Sequence, residues 1–391
     1  MRKILLFIFL IPSLGIYSQE DSVHLKPFQV SLIYPLGTSG FYSGNSSYLF
    51  SFNILAGVTG AANGFELGGI SNVNHYYNHG VQIAGISNVS GSYNKGFQIG
   101  GICNVIGGST NGFQAGGICN LAGGSMQGVQ LAGIMNACGD SATGVQLAGI
   151  TNISGSFEGL QTSGIMNTAN DVDGAQIAGI TNIASGADAL QLAGIGNMAA
   201  DVKGAQIGGI FNVAGYVKGF QLAGIVNICD SIDGVPLALV SIVGKNGYRR
   251  WDIWGSEAFN INVSYKIGIR GLYTIFTLGY KPGDRDNNTG LGVGLGSNMM
   301  LGRRSGIDVE ASFYHISRYL WMKEENFMYT LKMNYVLQLG RRTALFAGPV
   351  LNILETPPDS DAASIAPGYG VEFHRYNDWK YWLGFNAGIR F

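Results

Sequence analysis

Charged residues are scarce in this chain of 391 residues, where they make up 12% of the sequence and sum to a net charge of −1. So weak a field excludes binding to nucleic acid through bulk electrostatics, and no nucleic-acid partner is expected. The catalytic residue sets are missing too: there is no Ser-His-Asp, Walker or zinc constellation. We therefore expect no enzyme and no cofactor.

Two weaker motifs do not change that expectation. His75 and His79 share a turn, where a solvated pair is favoured over a metal site. Residues 284–290 read Asp-x-Asp-x-Asn-x-Gly, the oxygen-rich start of a calcium loop. That segment lacks the distal bidentate acid and fits a hairpin turn equally well.

Proline is absent between Pro35 and Pro236, so every backbone N–H in that segment is free to donate. Glycine, by contrast, is abundant, with 61 residues set in a strict repeat. The pattern Gly-φ-Gln-φ-small-Gly-Ile-x-Asn, with φ apolar, occurs eleven times at spacings of sixteen and then fifteen residues. A fixed period over so long a stretch indicates one supersecondary unit stacked on copies of itself. The closing asparagines are Asn72, Asn88, Asn104, Asn120, Asn136, Asn152, Asn167, Asn182, Asn197, Asn212 and Asn227.

Two architectures fit this period. In a β-solenoid each copy is one coil, the Asn side chains and glutamines such as Gln130 and Gln146 form ladders of amide hydrogen bonds, and the Ile side chains point inward. In an antiparallel meander each copy is one strand, and turns at alternate ends would give a period of two copies. That double period is not seen, and glycines suit the sharp corners of a coil, so we predict the solenoid.

The ends of the array differ from its middle, as stacked repeats require. Glu66 stands at a Gln position in the first copy. In the last copy, Pro236 replaces the Gln and Ile242 the Asn. A proline there removes a donor and closes an edge that would recruit another strand.

The four cysteines follow the repeat. Cys103 and Cys119 share a position in neighbouring copies, roughly 4.8 Å apart in a stack, which a disulfide can bridge. Cys138 and Cys229 also share a position, but on the order of 29 Å apart, so they cannot pair with each other. We interpret all four as small apolar side chains in a tight interior, with the Cys103–Cys119 disulfide as the alternative.

The last third of the chain alternates at period two. Between 327 and 337 every odd position is apolar or aromatic, whereas Thr330 and Lys332 lie on the other face. Eight such strands occur after residue 258, and segments 28–36 and 48–58 would make ten. The predicted fold is all-β: a β-solenoid-like repeat array followed by an antiparallel β-barrel of about eight to ten strands.

A barrel with aromatic residues outside and polar residues inside fits this pattern better than a soluble sandwich. Phe391 is in phase with the outward face and resembles the assembly signal of bacterial outer-membrane barrels, which implies the barrel assembly machinery as a partner. Inside, a lumen too small for a solute path would be filled by paired charges. These inward residues are Lys266, Asp308, Glu310, Lys332, Glu372 and Arg390.

Basic residues gather near the tight joins between strands and suit anionic lipopolysaccharide, although interfacial arginines anchoring any barrel are the alternative. Counting strands back from Phe391 puts these joins outside the cell, yet such barrels usually keep their long loops outside. The basic residues are Arg270, Arg303, Arg304, Arg341, Arg342, Arg375 and Lys380.

The chain opens with Met1-Arg2-Lys3 and an apolar run at 4–11 that Pro12 breaks, which is typical of a secretory signal; a transmembrane anchor is the alternative. We predict a signal peptide at 1–18, N-terminal strands at 19–63 that belong to the barrel or cap the array, the repeat array at 64–245 and the barrel at 246–391.

The repeats, the Gly-Tyr-Arg-Arg-Trp-Asp-Ile-Trp-Gly segment at 247–255 and Leu-Phe-Ala-Gly-Pro at 345–349 resemble a family of bacterial surface-repeat proteins of Bacteroidetes-like and leptospiral genomes. The resemblance implies a cell-envelope location, and it brings no known activity or catalytic residue. We expect a non-enzymatic structural or interaction protein of the Gram-negative outer membrane, whose barrel anchors a rigid array that docks an unidentified protein or glycan. The alternative is a channel or transporter with the repeats as barrel strands or plug, which the few aromatic residues of the repeats disfavour.

Overall fold

A computed structural model of the protein describes residues 24–282, 287–317, 326–340, 342–357, 365–367, 371–374 and 378–391. The all-β prediction is confirmed, since 78% of the structure is strand and 2% is helix. The chain forms a parallel β-solenoid of about 13 turns and a closed antiparallel β-barrel of eight strands. Among the described residues no helix is long and apolar enough to cross a membrane. Asp284 and Asp286 of the calcium-like segment lie outside the described residues.

The chain divides into two compact units that meet in sequence at residues 185 and 186. The strands of the first unit are β1 His24–Ile33, β2 Leu36–Gly37, β3 Ser46–Thr59, β4 Ala61–Gly68, β5 Ser71–Asn74, β6 Tyr77–Ala84, β7 Ser87–Ser90, β8 Tyr93–Gly100, β9 Cys103–Ile106, β10 Thr110–Gly116, β11 Cys119–Ala122, β12 Met126–Ala132, β13 Met135–Cys138, β14 Ser141–Ala148, β15 Thr151–Ile153, β16 Ser156–Ser163, β17 Met166–Thr168, β18 Asp171–Ala178 and β19 Thr181–Ile183. A 3₁₀ helix, Gly40–Asn45, precedes β3.

The second unit contains the last coils and the barrel. Its solenoid strands are β20 Gly186–Ala193, β21 Gly196–Gly208, β22 Phe211–Ala223, β23 Val226–Leu237 and β24 Val240–Val243. Its other strands are β25 Tyr248–Ser256, β26 Ile261–Ile269, β27 Leu272–Lys281, β28 Asn288–Met300, β29 Ser305–Ser317, β30 Asn326–Gln338, β31 Ala344–Thr356, β32 Val371–His374 and β33 Asp378–Arg390.

Each coil of the first unit consists of a long strand and a short strand, such as β12 and β13. Strand β12 pairs in parallel with β10 before it and β14 after it, with Gln130 opposite Gln114 and Gln146. Strand β13 pairs in the same way with β11 and β15, which places Asn136 between Asn120 and Asn152. Every repeat position therefore stacks on itself from coil to coil.

Two glycines of the repeat are imposed by this stacking. Gly128 has a φ of +125°, and a Cβ atom there would lie 2.1 Å from the carbonyl oxygen of Gly112 in the coil before. Gly133 begins the corner between the two strands, and its Cβ would lie 2.2 Å from the oxygen of Gly117. A side chain at either position would push adjacent coils apart, which explains why the copies keep both glycines, except where Ala189 takes the place of the first.

The segments offered as two extra barrel strands belong to the solenoid. Strand β1 pairs in parallel with β3, and β3 pairs in parallel with β4 and β5. The ten-strand option is therefore wrong. At the other end of the array, Ser241 and not Ile242 takes the Asn position, since Asn227 pairs with Ser241. The last copy is one residue shorter than the pattern assumed.

The barrel closes through the pairing of β25 with β33, in which Asp252 lies opposite Arg390. The eight-strand count is right, but its membership differs from the sequence assignment. The count of eight strands after residue 258 includes the β32 segment as a wall strand, whereas β32 is a four-residue strand that pairs with β33 beside the closure. Strand β25 is the missing wall strand.

This change of membership reverses the predicted placement of the barrel ends. Ala344 pairs with Arg390, so Phe391 lies at the same end as the short turn that precedes β31. The turns at 270–271 and 301–304 share that end, while the long connections at 318–325 and 357–377 join the strands at the other end. Lys380 pairs with Leu354 at the long-loop end, so it does not belong with the basic residues near the short turns, which we call the basic rim. Arg341 and Arg375 lie outside the described residues.

Candidate functional site

The solenoid is inverted relative to a soluble repeat protein: its Ile side chains point outward. The expectation that they point inward is wrong, since the eleven isoleucines of the Gly-Ile-x-Asn step are 39–53% exposed. The physical reason is that Ile134 lies in the corner between two strands and not in a strand. Gly133 and Ile134 are both exposed, and the inward–outward alternation that buries Asn136 does not continue back to Ile134. The eleven residues are Ile70, Ile86, Ile102, Ile118, Ile134, Ile150, Ile165, Ile180, Ile195, Ile210 and Ile225.

In each unit other outward residues extend this row into a mainly apolar region, which Ser71, Ser87 and Thr151 interrupt in the first unit. On either side of the corner lie the second half of the long strand, as at Val129 and Leu131, and the short strand, as at Met135 and Ala137. We call these rows and the isoleucines the aliphatic surface. In the first unit alone its eight isoleucines span roughly 34 Å at about 4.8 Å per coil.

Charge is confined to a different side of the coils. The outward positions before the positive-φ glycine, together with the preceding corner, form what we call the charged edge. It carries exposed residues such as Glu158 and Asp173 in the first unit and Lys203 and Lys218 in the second. The coils are thus amphipathic across their section, and their interior combines amide side chains with buried apolar rows such as Val202, Val217 and Ile232.

A ladder of glutamine side chains fills one half of that interior. In the first unit each Gln Nε2 donates to the side-chain oxygen of the preceding coil at 2.7–2.9 Å, from Gln176 back to Gln82. In the second unit Gln221 donates to Gln206 and Gln206 to Gln191, both at 2.8 Å. These glutamines are at most 1% exposed.

The asparagine ladder runs beside it in the opposite direction. From Asn53 to Asn167 each Nδ2 donates to the Oδ1 of the following coil at 2.9–3.0 Å. In the second unit Asn197 donates to Asn212 and Asn212 to Asn227. A second Nδ2 hydrogen reaches a backbone oxygen of the facing strand, as from Asn152 to Thr162 at 2.8 Å. Because the two ladders donate in opposite senses, their dipoles oppose each other.

Glu66 ends the glutamine ladder of the first unit. Its carboxyl accepts from Gln82 Nε2 at 2.8 Å, Asn53 Nδ2 at 3.2 Å and Ser51 Oγ at 3.3 Å. A carboxylate only accepts, so it suits the end of a chain of donors. Complete burial nevertheless raises the pKa of Glu66 to about 7, against these hydrogen bonds, which favour the charged form.

The cysteines divide into a bonded pair and two free thiols. Cys103 and Cys119 form a disulfide with their Cα atoms 4.8 Å apart, so the interpretation of these two as unbonded apolar residues is wrong and its alternative is right. Cys138 and Cys229 are free and buried. Burial raises the pKa of both thiols, which keeps them protonated.

The barrel wall has the same inversion as the coils. On β30 the outward Leu331, Met333 and Tyr335 are at least 50% exposed, whereas the inward Lys332 and Asn334 are buried. Phe391 continues the outward face and exchanges two backbone hydrogen bonds with Trp251, at 2.8 and 3.3 Å.

A network of ion pairs occupies one part of the barrel interior. Arg390 holds Asp252 through two hydrogen bonds of 2.8 Å and reaches Asp308 at 2.6 Å. Lys266 contacts Glu310 and lies 2.7 Å from Asp252. Lys332 completes the group, 3.5 Å from Glu310, so three basic side chains face three acidic ones. The side chain of Glu372, placed in this network by the sequence, lies outside the described residues; Asp252 is the member that the sequence reasoning missed.

Aromatic and aliphatic side chains fill another part of the interior. Phe259, Tyr314, Met328 and Trp382 pack together in a buried cluster. Above them Glu257 accepts hydrogen bonds from Trp382 and Asn352, both at 2.9 Å. The described interior is thus packed with side chains, as expected for eight strands.

The last coil packs against the outside of the barrel wall. Thr274 is on the outward face of β27, yet the last coil covers it and leaves it buried. Its Oγ1 donates to the backbone oxygen of Ala238 in that coil at 3.2 Å. Beside this contact is a groove of about 570 Å³, mostly apolar. It is lined by solenoid residues Leu237 and Leu239 and by outward barrel residues that include Val293, Leu295 and Phe313.

The described residues contain no group of three or more His, Cys, Asp or Glu side chains arranged to hold a metal ion. No protein-family model, no curated protein and no solved structure matches this chain. The functional argument therefore depends on the surfaces and the interior described above.

Proposed function

We propose that the protein is a non-enzymatic structural or interaction protein of the Gram-negative outer membrane, in which the barrel spans the bilayer and holds the repeat array. The observation that carries the proposal is the inverted barrel wall. This closed barrel pairs its backbone groups between strands, turns apolar side chains outward and keeps its ion-pair network inside, as a hydrocarbon environment demands of a protein.

The barrel ends support one orientation. Membrane barrels of this kind keep short turns in the periplasm and long loops outside. With the turns at 270–271 and 301–304 in the periplasm, β25 starts on the periplasmic side, and the array joins the barrel there. The basic residues of these turns, Arg270, Arg303 and Arg304, then meet the headgroups of the inner leaflet. This orientation replaces the expected contact of the basic rim with lipopolysaccharide by a contact with phospholipid.

Export by the segment at 1–18 and assembly by the barrel assembly machinery belong to this proposal and stay predictions. The channel alternative has less support. The repeat strands pair in parallel with their own neighbours and are not barrel strands, and the barrel interior holds the packed cluster and the ion-pair network.

The test compares two leucine-to-arginine variants of the full chain. Leu331 lies mid-strand on the outward wall and is 50% exposed, while Leu301 lies in a short turn and is 64% exposed. In a bilayer an outward arginine costs about 2–4 kcal/mol at mid-depth and about 0–1 kcal/mol near the interface. We expect Leu331→Arg to lower the amount of heat-modifiable, membrane-embedded protein and Leu301→Arg to leave it unchanged.

In a water-soluble barrel neither substitution would matter, because both leucines are already exposed. Equal assembly of the two variants, together with recovery of the protein in the soluble periplasmic fraction, would refute the membrane role of the barrel.

A further inference from the structure

We propose that, in the second unit, the aliphatic surface of the coils lies against the acyl chains of the same bilayer that holds the barrel, so that these coils are immersed on one side. This inference rests on the proposed function and deepens it by naming the partner of these coils: membrane lipid, in place of a protein or glycan ligand.

The composition of the surface favours lipid over a protein partner. In the second unit its rows contain no charged and no hydrogen-bonding side chain. Protein interfaces of comparable size carry about ten hydrogen bonds and are enriched in Tyr, Trp and Arg. The rows are Leu190, Ala205, Phe220, Val235; Leu192, Ile207, Leu222, Leu237; Ile195, Ile210, Ile225; Gly196, Phe211, Val226, Val240; and Met198, Val213, Ile228, Ile242.

The exposed apolar side chains of these rows indicate that another molecule covers them. Leu190, Met198, Ile210, Ile225 and Val235 are each at least 39% exposed, and they are spread over four successive coils. A contiguous apolar patch of more than a few hundred Å² on a protein surface marks a protein-binding or membrane-binding region.

The interior of the coils meets the condition that lipid imposes at most of its polar groups, although Gln221 Oε1, opposite Pro236, has no partner. In hydrocarbon each backbone and side-chain polar group must find its partner inside the protein. The backbone groups of β21, β22 and β23 pair with adjacent coils, and Asn212 bonds Asn227, Gln206 and Leu222. Rows of buried apolar side chains such as Val202, Val217 and Ile232 share the interior with the amides. The outward aliphatic rows remain uncovered, and in water that exposed apolar area is unfavourable.

The aliphatic surface is also continuous with the wall proposed to face lipid. The groove at the last coil is lined by Leu237 and Leu239 from the array and by the outward Val293, Leu295 and Phe313 from the barrel. Thr274, under the coil, is near the start of β27, and Leu295 opposite it is in the middle of β28. Acyl chains that cover the barrel wall at this level therefore also reach the last coil.

The charged edge gives the immersed coils a side for water. It carries Asp188, Lys203, Lys218 and Asp233, with both signs of charge and all exposed. A structure with one strongly polar side and one wide apolar side lies in the interface plane with its apolar side in the acyl region.

The test measures the contact of single thiols with lipid in the full chain. Cys138 and Cys229 are first replaced by Ala, which the repeat already has at the matching Ala122 and Ala214. Single cysteines are then placed at Ile210 on the aliphatic surface, Lys203 on the charged edge and Leu331 on the barrel wall, and each is labelled with a fluorophore. The proteins are reconstituted in phosphatidylcholine vesicles with either ordinary or dibrominated acyl chains, because bromine quenches only probes that touch the chains.

We expect the probes at Ile210→Cys and Leu331→Cys to lose most of their emission in brominated vesicles, and the probe at Lys203→Cys to keep it. Quenching at Leu331→Cys without quenching at Ile210→Cys would overturn this inference and leave the membrane barrel intact. Absence of quenching at Leu331→Cys would instead overturn the proposed function.

A second copy of the chain as the occupant is an outcome of the same experiment. In that case the probe at Ile210→Cys is unquenched, and the unlabelled Ile210→Cys protein cross-links between chains with a bis-maleimide, which also overturns the inference.

Discussion

The array and the barrel are inverted in the same way but stabilise their polar interiors with different chemistry. The array uses neutral amides, Gln on Gln and Asn on Asn, while the barrel uses three basic and three acidic side chains. Stacking explains the difference. In a repeat each interior group meets a copy of itself at about 4.8 Å, where two like charges would cost about 3 kcal/mol even at an effective dielectric constant of 20.

An amide avoids that repulsion because it carries both a donor and an acceptor and so pairs with itself indefinitely. A barrel interior places different residues opposite each other, so Arg390 can meet Asp252 and Asp308. Charged side chains can therefore fill the interior of a closed barrel but not the interior of a stack of identical coils. The single interior carboxyl of the first unit's glutamine row, Glu66, accordingly lies where the row ends.

The second difference is closure itself, and it predicts the largest effect. An open stack loses one coil at the cost of that coil and its neighbour contacts, whereas the diameter of a barrel depends on its strand number. We expect deletion of 128–143 to leave a folded, membrane-inserted protein, because Gly144 then takes the place of Gly128 in register. Deletion of β29 and β30, residues 305–338, should abolish the folded barrel. It also removes Asp308 and Glu310, two of the acidic partners of Lys266 and Arg390.

Heat-modifiability and protease resistance of the two deletion proteins give the measurement. Loss of folding in the coil deletion would mean that the array behaves as a closed structure, and the contrast between the regions would fail.

A single amide tests the array's interior on a smaller scale. Asn152 accepts from Asn136 and donates to Asn167, Thr162 and Gln146. Asn152→Leu leaves buried groups of these neighbours unpaired, at about 1–3 kcal/mol for each group. Glu158→Ala on the charged edge should change the free energy of unfolding little. Circular dichroism during urea unfolding in detergent follows the array, while fluorescence follows the barrel because all five Trp residues lie at 251 or beyond.

If the two variants unfold at the same urea concentration, the asparagine ladder contributes nothing measurable to stability. A shift confined to circular dichroism, with fluorescence unchanged, is the expected result and would show that the two regions unfold separately.

Much of this architecture was predictable from the period of the repeat. The spacing of the asparagines and glutamines indicated parallel coils with amide ladders, and the apolar phase of 327–337 indicated which face of the barrel points outward. Both inferences use regular periodicity, which a single sequence displays directly.

What failed lies where the regular period is interrupted. Ile134 was assigned to the interior by extending strand alternation through a corner that turns the chain outward. Ile242 was aligned with the asparagines because the last copy is one residue short, and only pairing reveals Ser241. Strand β25 was not counted because Arg249, Arg250 and Asp252 hide its alternation of apolar and polar residues. Asp252 nevertheless fits that alternation, since it points into the barrel and pairs with Arg390. That omission changed the parity of the strands and so exchanged the barrel ends.

The smallest effect concerns the one ionisable group in the glutamine ladder. The pKa of Glu66 is raised from 4.5 to about 7, so the folded state holds a proton that the unfolded chain releases above about pH 4.5. Folding stability therefore falls as the pH rises from about 4.5 to about 7, by up to about 3 kcal/mol, and stays low above that range. Glu66→Gln removes this loss, but the new Nε2 group must find an acceptor beside Ser51 and Asn53, so the net gain is smaller. We expect the variant to be more stable than the parent at pH 8, with the advantage fading towards pH 4.5, as measured by urea unfolding at each pH. A gain for Glu66→Gln that is independent of pH would mean that Glu66 does not titrate in this window and that its burial carries no proton-linked cost.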